Sequence, residues 1–281
     1  MKSNASVVLL GASRRVIFSA FLVLALALGV LGLAGCGKPN PSRSAESGHS
    51  EQQDETAASN GSGSGNTGDS AAVSAVPVFD PSKPEVIHRG NPNRPMVALT
   101  IDDGWNRDDR IFDLLRAQSV PATTFLIGGR GVAEGDPAWV KSLDDAGLEV
   151  CSHTYDHYKL TDHPEEYIAN DIKHGLDVIQ SITGKRLPYM RPPGGFVNEA
   201  VIQAAVENHC YIVMWTSAFG DTDEKVTADQ EVQSVLANLC NGDIILCHWG
   251  GYHTYEAMSR LIPEIRARGY EFGTLSDVLA P

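Results

Sequence analysis

From residue 96 onward the sequence alternates short apolar segments with longer amphipathic ones, and this alternation restricts the fold more than any other feature. Short apolar segments are typical of buried strands, and amphipathic segments are typical of helices that cover a sheet. Strands that alternate with helices form parallel sheets with right-handed crossovers. The predicted strands are Met96–Ile101, Ala122–Ile127, Leu148–Ser152, Pro188–Arg191, Tyr211–Trp215, Asp243–Cys247 and Tyr270–Thr274. The alternation predicts an α/β fold, with the parallel sheet either open or closed into a barrel.

The predicted helices lie between these strands. They are Asp108–Ala117, Pro137–Ala146, Pro164–Ile182, Asn198–Asn208, Thr227–Leu239 and Tyr255–Ala267, the last with a kink at Pro263. In parallel α/β folds, ligands bind at the carboxyl ends of the strands. The residues directly after each predicted strand are therefore the first place to look for a functional site.

Polar side chains with catalytic chemistry follow five of the predicted strands. They are Asp102 and Asp103 after the first, His153 and His157 after the third, Arg191 ending the fourth, Asp221 beyond the fifth and His248 after the sixth. Taken alone, Asp-Asp-Gly is an ordinary turn sequence. Because parallel strands bring their carboxyl ends to one edge, five such ends together indicate an active site.

The spacing of His153 and His157 is typical of metal ligands, since residues four apart share one face of a helical turn. Two imidazoles and one carboxylate leave positions open for water and substrate, as at catalytic zinc; the alternative is two surface histidines in a polar loop. A metal here would lower the pKa of a bound water from 15.7 to about 7. A second carboxylate could take the proton of that water, and an imidazole could protonate the leaving group.

The sequence has no Gly-x-Ser-x-Gly motif, which argues against a serine esterase.

Four motifs resemble those of the polysaccharide deacetylase (NodB-homology) family, carbohydrate esterase family 4. They are Thr100–Gly104, His153–His157, Arg191–Gly195 and Leu246–His248, in the family's order. The resemblance extends from about Met96 to Leu279. It implies a single-domain distorted (β/α)7 barrel with its active site at the carboxyl ends of the strands. It also implies a metal-dependent hydrolase that removes acetyl groups from N-acetylated sugars.

The resemblance also implies a role for individual residues. The metal ligands are Asp103, His153 and His157; Asp102 is the general base toward a water activated at the metal, and His248 is the general acid. Arg191 holds Asp102, and Asp221 supports His248. Leu246, Trp215 and the backbone N–H of Gly194 are assigned to substrate binding. Zinc is the expected divalent metal, with cobalt, manganese or nickel as alternatives.

Three positions depart from the family's pattern. Gly194 replaces a frequent aromatic residue, Thr222 replaces a tryptophan and Ala218 replaces a frequent acidic residue. The changes remove aromatic surface from the rim and leave every catalytic group in place. We expect a more open sugar groove, or one completed by Trp105, Trp249 or Tyr252. The alternative for each of these three aromatic residues is a packing role.

The N-terminal part of the chain resembles the export signal of a bacterial lipoprotein. Basic residues precede an apolar run that ends in the lipobox-like sequence Leu33–Cys36. We expect residues 1–35 to be a signal peptide and Cys36 to carry lipid; an uncleaved membrane anchor is the alternative. Residues 37–78 are rich in Ser, Gly and acidic residues and form the predicted tether to a deacetylase domain over 79–281. The protein is expected at the extracytoplasmic face of the cell membrane, held there only by the lipid.

The formal net charge of −13 argues against nucleic acid as a partner. The expected partner is an acetylated amino-sugar polymer containing GlcNAc or MurNAc, in cell-wall peptidoglycan or an exopolysaccharide. One alternative is an O-acetyl esterase of the xylan type, and another is a non-catalytic glycan- or solute-binding lipoprotein. The sequence leaves open the oligomeric state and whether Cys210 and Cys240 form a disulfide.

Overall fold

A computed structural model describes residues 76–281 of the chain. The signal peptide, the lipidation site at Cys36 and nearly all of the 37–78 tether lie outside the described residues, so those predictions stay predictions. Among residues 76–281, no helix is both long enough and apolar enough to cross a membrane.

The described chain alternates strands and helices as the sequence predicts. The strands are β1 (Val86–Ile87), β2 (Met96–Asp103), β3 (Thr123–Leu126), β4 (Glu149–Ser152), β5 (Tyr189–Met190), β6 (Tyr211–Val213), β7 (Ser217–Ala218), β8 (Ile244–His248) and β9 (Glu271–Gly273). The helices are α1 (Asp109–Ala117), α2 (Pro137–Asp145), α3 (Glu165–Thr183), α4 (Glu199–Glu207), α5 (Ala228–Asn238), α6 (Thr254–Ala267) and α7 (Leu275–Leu279).

All the strand pairs are parallel, and the strands form a distorted (β/α)7 barrel. The order across the sheet is β1-β6-β5-β4-β3-β2-β8-β7, and β9 pairs with the first residues of β2. The predicted strand Tyr211–Trp215 ends early, since β6 stops at Val213 and pairs with β5, and β7 follows it and pairs with β8 on the other side. No strand pairing joins β6 to β7. The ring is closed there by the chain itself, because β7 follows β6 directly in the sequence. The predicted barrel is confirmed, and this break is its distortion.

Apolar residues fill both the inside of the barrel and the layer between the strands and the helices. The inner group includes Phe125, Tyr211, Val213 and Ile244. Trp249 is 1 % exposed and belongs to the outer layer, where its indole N–H donates to the hydroxyl of Thr124. Of the three aromatic residues that the sequence offered to the groove, Trp249 is therefore a packing residue.

Local sequence sets where several helices begin. The side chains of Asp108, Asp136 and Asn198 each accept a backbone N–H at the first turn of α1, α2 and α4. The helix α5 begins with a capping box between Thr227 and Gln230. The structure adds β1, β7 and α7, which the sequence pattern did not predict because they span only two to five residues.

One carboxyl group in the helical layer is fully buried without a partner. Glu231 of α5 is 0 % exposed, and neither carboxylate oxygen has a hydrogen-bond partner among residues 76–281. Burial, together with the charges of Asp221 and Glu256, raises the pKa of Glu231 to about 8. The folded chain therefore keeps a proton that the unfolded chain releases near pH 4.5.

We predict that Glu231→Gln raises the free energy of unfolding at pH 8 by roughly 1–3 kcal/mol and has a much smaller effect at pH 5. Between the two pKa values the folded state binds more protons than the unfolded state, so stability falls as pH rises. Urea unfolding at both pH values measures the difference. The exposed Glu264→Gln on α6 is the control, and an equal effect of Glu231→Gln at both pH values would contradict the prediction.

Candidate active site

The two adjacent carboxylates at the end of β2 have different partners. Asp102 is still within the sheet, where its Cα registers with Phe125 on β3 and His248 on β8. Asp103 has a φ of 77°, and Gly104 has a φ of 106°, so the chain turns sharply as it leaves the strand. The side chain of Asp102 contacts Arg191, whereas that of Asp103 lies against His157 and His153.

Asp103, His153 and His157 form the one group of three or more metal-ligating side chains found in the described part of the chain. Their ligand atoms all lie within 4.8 Å of one another. Oδ1 of Asp103 is 3.1 Å from Nε2 of His157 and 3.4 Å from Nε2 of His153, yet it is buried without a properly oriented hydrogen bond. Three ligand atoms that meet without bonding to each other fit a divalent cation.

The tautomer of His153 also fits a metal ligand. Its Nδ1 lies 2.8 Å from the backbone oxygen of Arg191. Because a carbonyl oxygen can only accept, Nδ1 carries the hydrogen and Nε2 keeps its lone pair for a metal.

Arg191 is fully buried inside the barrel and fixes Asp102. Its Nη1 donates to Oδ1 of Asp102 at 2.7 Å and to the hydroxyl of Thr100 at 2.9 Å. Its Nε and Nη2 donate to the backbone oxygens of Val213 and Met214, each at 3.0 Å. These two carbonyls lie at the break between β6 and β7, so one guanidinium both orients the carboxylate and satisfies the interrupted strand.

His248 at the end of β8 is held by Asp221. Its Nδ1 is 2.8 Å from Oδ1 of Asp221, while Oδ2 accepts from the backbone N–H of His248 and from the hydroxyl of Thr254. Burial opposes the charged imidazolium, but the bond to Asp221 and the nearby Asp102 carboxylate outweigh it and raise the pKa of His248 to about 9. The imidazole is therefore protonated at neutral pH, with Nε2 free to donate.

The structure also locates the residues that the resemblance assigned to substrate binding. Leu246 is 7 % exposed on β8, and the ring of Trp215 lies beside Gly195 and the guanidinium of Arg191. Gly194 has a φ of 66° and a Cβ there would be 2.7 Å from the ring of Phe196. Phe196 is 48 % exposed, so it supplies aromatic surface at the place where Gly194 lacks a side chain.

Sequence reasoning missed Asp171, which holds the loop that carries both histidines. Asp171 is 4 % exposed on α3 and accepts the backbone N–H of Asp156 at 2.8 Å and, more weakly, that of Tyr155 at 3.4 Å. Thr154 and His157 in this loop have φ values of 64° and 55°, which are unfavourable for residues with a Cβ. No sequence motif marks Asp171; its only signal is an aspartate on the apolar side of the predicted helix.

We predict that Asp171→Asn weakens zinc affinity by about 10- to 100-fold while the fold is kept, because partners of metal-bearing elements contribute on this scale. An amide cannot accept both N–H groups as a carboxylate does, so the loop loses its anchor. Competition with a chromophoric chelator measures the affinity, and circular dichroism monitors the fold. The matched control is Asp177→Asn on the outer face of α3, where the carboxylate pairs with Lys173 and Arg186. Unchanged zinc affinity in Asp171→Asn would refute this role.

Comparison with known proteins places this geometry in a family. A model of the family described as "Polysaccharide deacetylase" matches residues 89–213. The chain is 33 % identical over 196 residues to a peptidoglycan-N-acetylglucosamine deacetylase of Bacillus cereus, covering 66 % of this chain and 89 % of that one.

Solved structures agree with the sequence comparison. The Bc1960 peptidoglycan N-acetylglucosamine deacetylase superposes with a TM-score of 0.65 at 32 % identity, covering 69 % of this chain and 92 % of that one. BA3943 of Bacillus anthracis, a CE4 family pseudoenzyme, superposes with a TM-score of 0.66 at 28 % identity, covering 70 % of each chain. With the barrel, the four motifs and a relative matched over nearly its whole length, the chain belongs to the polysaccharide deacetylase family.

Proposed function

We propose that this chain is a metal-dependent deacetylase that removes N-acetyl groups from an amino-sugar polymer of the cell wall or its surroundings. The observation that carries the proposal is the division of labour between two adjacent carboxylates. Asp103 meets two imidazoles, and Asp102 meets a buried guanidinium. One carboxylate is thereby placed to hold a metal, and the other is oriented by the guanidinium to accept a proton.

Asp103, His153 and His157 would hold the divalent ion, and zinc suits a set of two nitrogens and one oxygen. When bound, the ion supplies a Lewis acid that lowers the pKa of water and polarises the acetyl oxygen. The chain's own contribution begins with Asp102. Its Oδ1 is occupied by Arg191, and its Oδ2 lies 3.7 Å from Nε2 of His153, so Oδ2 faces the metal side and accepts the proton of the attacking water.

His248 performs the second proton transfer. As the bond between the acetyl carbon and the sugar nitrogen breaks, Nε2 of His248 gives its proton to the departing amine, and acetate is the other product. Amines are poor leaving groups unless protonated. The raised pKa of His248, maintained by Asp221, ensures that the proton is present at neutral pH.

The substrate is positioned by residues on the rim of the barrel. Leu246 would contact the acetyl methyl, and the ring of Trp215 would form a second wall beside it. The backbone N–H of Gly194 would donate to the oxygen on which negative charge develops. Phe196 would extend the contact surface for the sugar, since it is half exposed over Gly194.

The choice of polymer rests on relatives and on the N-terminus. Several relatives bear the name peptidoglycan-N-acetylglucosamine deacetylase, among them the Bacillus cereus protein described above. A lipid on Cys36 and the predicted 37–78 tether would let the domain reach peptidoglycan or an exopolysaccharide from the extracytoplasmic face of the membrane. The BA3943 neighbour is a pseudoenzyme. This chain, however, carries a carboxylate or an imidazole at each of the five positions that the proposed chemistry needs, namely Asp102, Asp103, His153, His157 and His248.

We predict that substitutions of the two aspartates separate metal binding from catalysis. Asp103→Asn should lose bound zinc and acetate release together. Asp102→Asn should keep bound zinc and lose about 10²- to 10⁴-fold in kcat, the range typical of removing a general base. Metal content by atomic emission and acetate release from N-acetylated chitooligosaccharides measure both. Full activity of Asp103→Asn in metal-free buffer would overturn the assignment.

We predict that kcat/KM falls at high pH with the ionisation of His248, and that Asp221→Asn moves this alkaline limb to lower pH. The bond to Asp221 raises the pKa of His248 to about 9, so its loss returns the imidazole toward its ordinary value of 6.5. The exposed Asp223→Asn, two residues away, should leave the limb in place. An alkaline limb that is the same in Asp221→Asn and the parent would exclude His248 as the acid.

Acetate release from peptidoglycan, poly-GlcNAc, chitooligosaccharides and acetylxylan tests the proposal as a whole. We expect release from the amide polymers in a zinc-dependent manner. Because an alkoxide leaves without a proton more easily than an unprotonated nitrogen does, His248→Ala should reduce amide hydrolysis far more than ester hydrolysis. No acetate from any amino-sugar polymer, with zinc shown to be bound, would refute the proposed function, and release from acetylxylan alone would favour the O-acetyl esterase.

A further inference from the structure

A cavity of about 260 Å³ opens beside the three metal-binding side chains. Its walls include Trp105, Arg107, Arg130, Asp136 and Trp139. It adjoins the candidate metal site directly, because Gly104 in its wall follows Asp103 and the ring of Trp105 is 4.6 Å from that of His157. The proposed deacetylation uses none of these five side chains.

Trp105 offers an aromatic surface to this cavity. Its ring meets His157 edge to face at 76°, and the residue remains 45 % exposed. The described chain has three further exposed aromatic residues, Tyr158, Phe196 and Tyr252, and each of them also follows a strand at the catalytic edge of the barrel. Exposed aromatic surface that is gathered at one edge marks a binding face, and flat aromatic rings suit the apolar faces of sugars.

Arg130 adds a fixed positive charge with free hydrogen-bond donors. Its Nε donates to the backbone oxygen of Asp156, and its guanidinium carbon lies 4.6 Å from the centre of the Tyr158 ring. Its two terminal nitrogens have no hydrogen-bond or ion-pair partner within residues 76–281. A guanidinium held by one nitrogen and one aromatic face, with its fork unoccupied, is suited to bind a carboxylate through two donors.

The other charges around the cavity are already compensated. Arg107 pairs with Asp136 at 2.8 Å and with Asp109 at 3.4 Å, so neither carboxylate neutralises Arg130. The nearby Glu134 accepts from the hydroxyl of Tyr155 and lies 3.9 Å from His174. In a chain with a net charge of −13, Arg130 is thus an uncompensated cation beside the reaction site.

We propose that this cavity binds the sugar unit next to the one that loses its acetyl group, and that Arg130 recognises a carboxylate on that neighbouring unit. The inference rests on the proposed function and extends it to an acidic polymer. The carboxylate could belong to the lactyl ether of N-acetylmuramic acid or to a uronic acid. The volume suits one sugar unit, since pockets for larger ligands begin at roughly 300 Å³.

Two matched tetrasaccharides test this recognition. One is the neutral oligomer of N-acetylglucosamine, and the other alternates N-acetylglucosamine with N-acetylmuramic acid. We expect Arg130→Gln to lower the ratio of kcat/KM for the acidic over the neutral substrate about tenfold, and conversion of the carboxylates to amides to have the same effect on the parent enzyme. Arg116→Gln is the control and should leave the ratio unchanged, because Arg116 lies in the last turn of α1 and does not line this cavity. A ratio that Arg130→Gln does not change would overturn the proposal.

Binding measurements separate this inference from the proposed function. In the Asp102→Asn background, calorimetry with the same two tetrasaccharides should show preference for the acidic one, and Arg130→Gln should abolish the preference. If that preference is present although no polymer releases acetate, the subsite stands and the deacetylase assignment fails. An equal affinity for both tetrasaccharides would refute the subsite. A uronate-containing oligomer in a third arm identifies which carboxylate is preferred.

Discussion

The contact between Arg191 and Asp102 is the interaction on which the rest of this structure depends. A guanidinium and a carboxylate that are both almost completely buried pay a large desolvation cost, and the geometry must recover it. Here the guanidinium bonds Asp102 and Thr100 of β2 and two carbonyls at the break between β6 and β7, and it stacks 4.2 Å from the ring of Phe125 on β3. The carbonyl of Arg191 also orients His153. One residue therefore joins the closure of the barrel, the proposed proton acceptor and a candidate metal ligand.

The end of β2 shows how a strand can give two neighbouring carboxylates separate environments. Within the sheet, alternation directs Asp102 toward the interior of the barrel. At the next residue, Asp103, the positive φ turns the side chain toward the histidine loop. Such a φ is costly for a residue with a Cβ, and the packing at Gly104 makes the turn specific: a Cβ on Gly104 would lie 2.8 Å from Val132. The strained backbone at Asp103 thus separates two adjacent carboxylates into two environments.

The sequence predicted most of this site because the strand ends were readable. Apolar periodicity located β2, β4 and β8, and their polar termini were Asp102, His153 and His248. Periodicity could not show that the strand beginning at Tyr211 ends at Val213, because the backbone oxygens of Val213 and Met214 are satisfied by the side chain of Arg191, which follows β5. It could not find Asp171 either, since that role depends on how α3 packs against the histidine loop. Long-range contacts of this kind have no local signal in a sequence.

Each of the two groups proposed to transfer protons has its own buried counter-charge. Asp102 has Arg191 and His248 has Asp221, and in both pairs the partner is at most 1 % exposed. This arrangement gives the proposed base a cationic partner and raises the pKa of the proposed acid, although the two groups end adjacent strands. Without separate partners, the carboxylate and the imidazolium would favour each other, and the proton would be held between them rather than passed from water to amine. Two dedicated ion pairs therefore favour the direction of proton flow that the proposed amide hydrolysis requires.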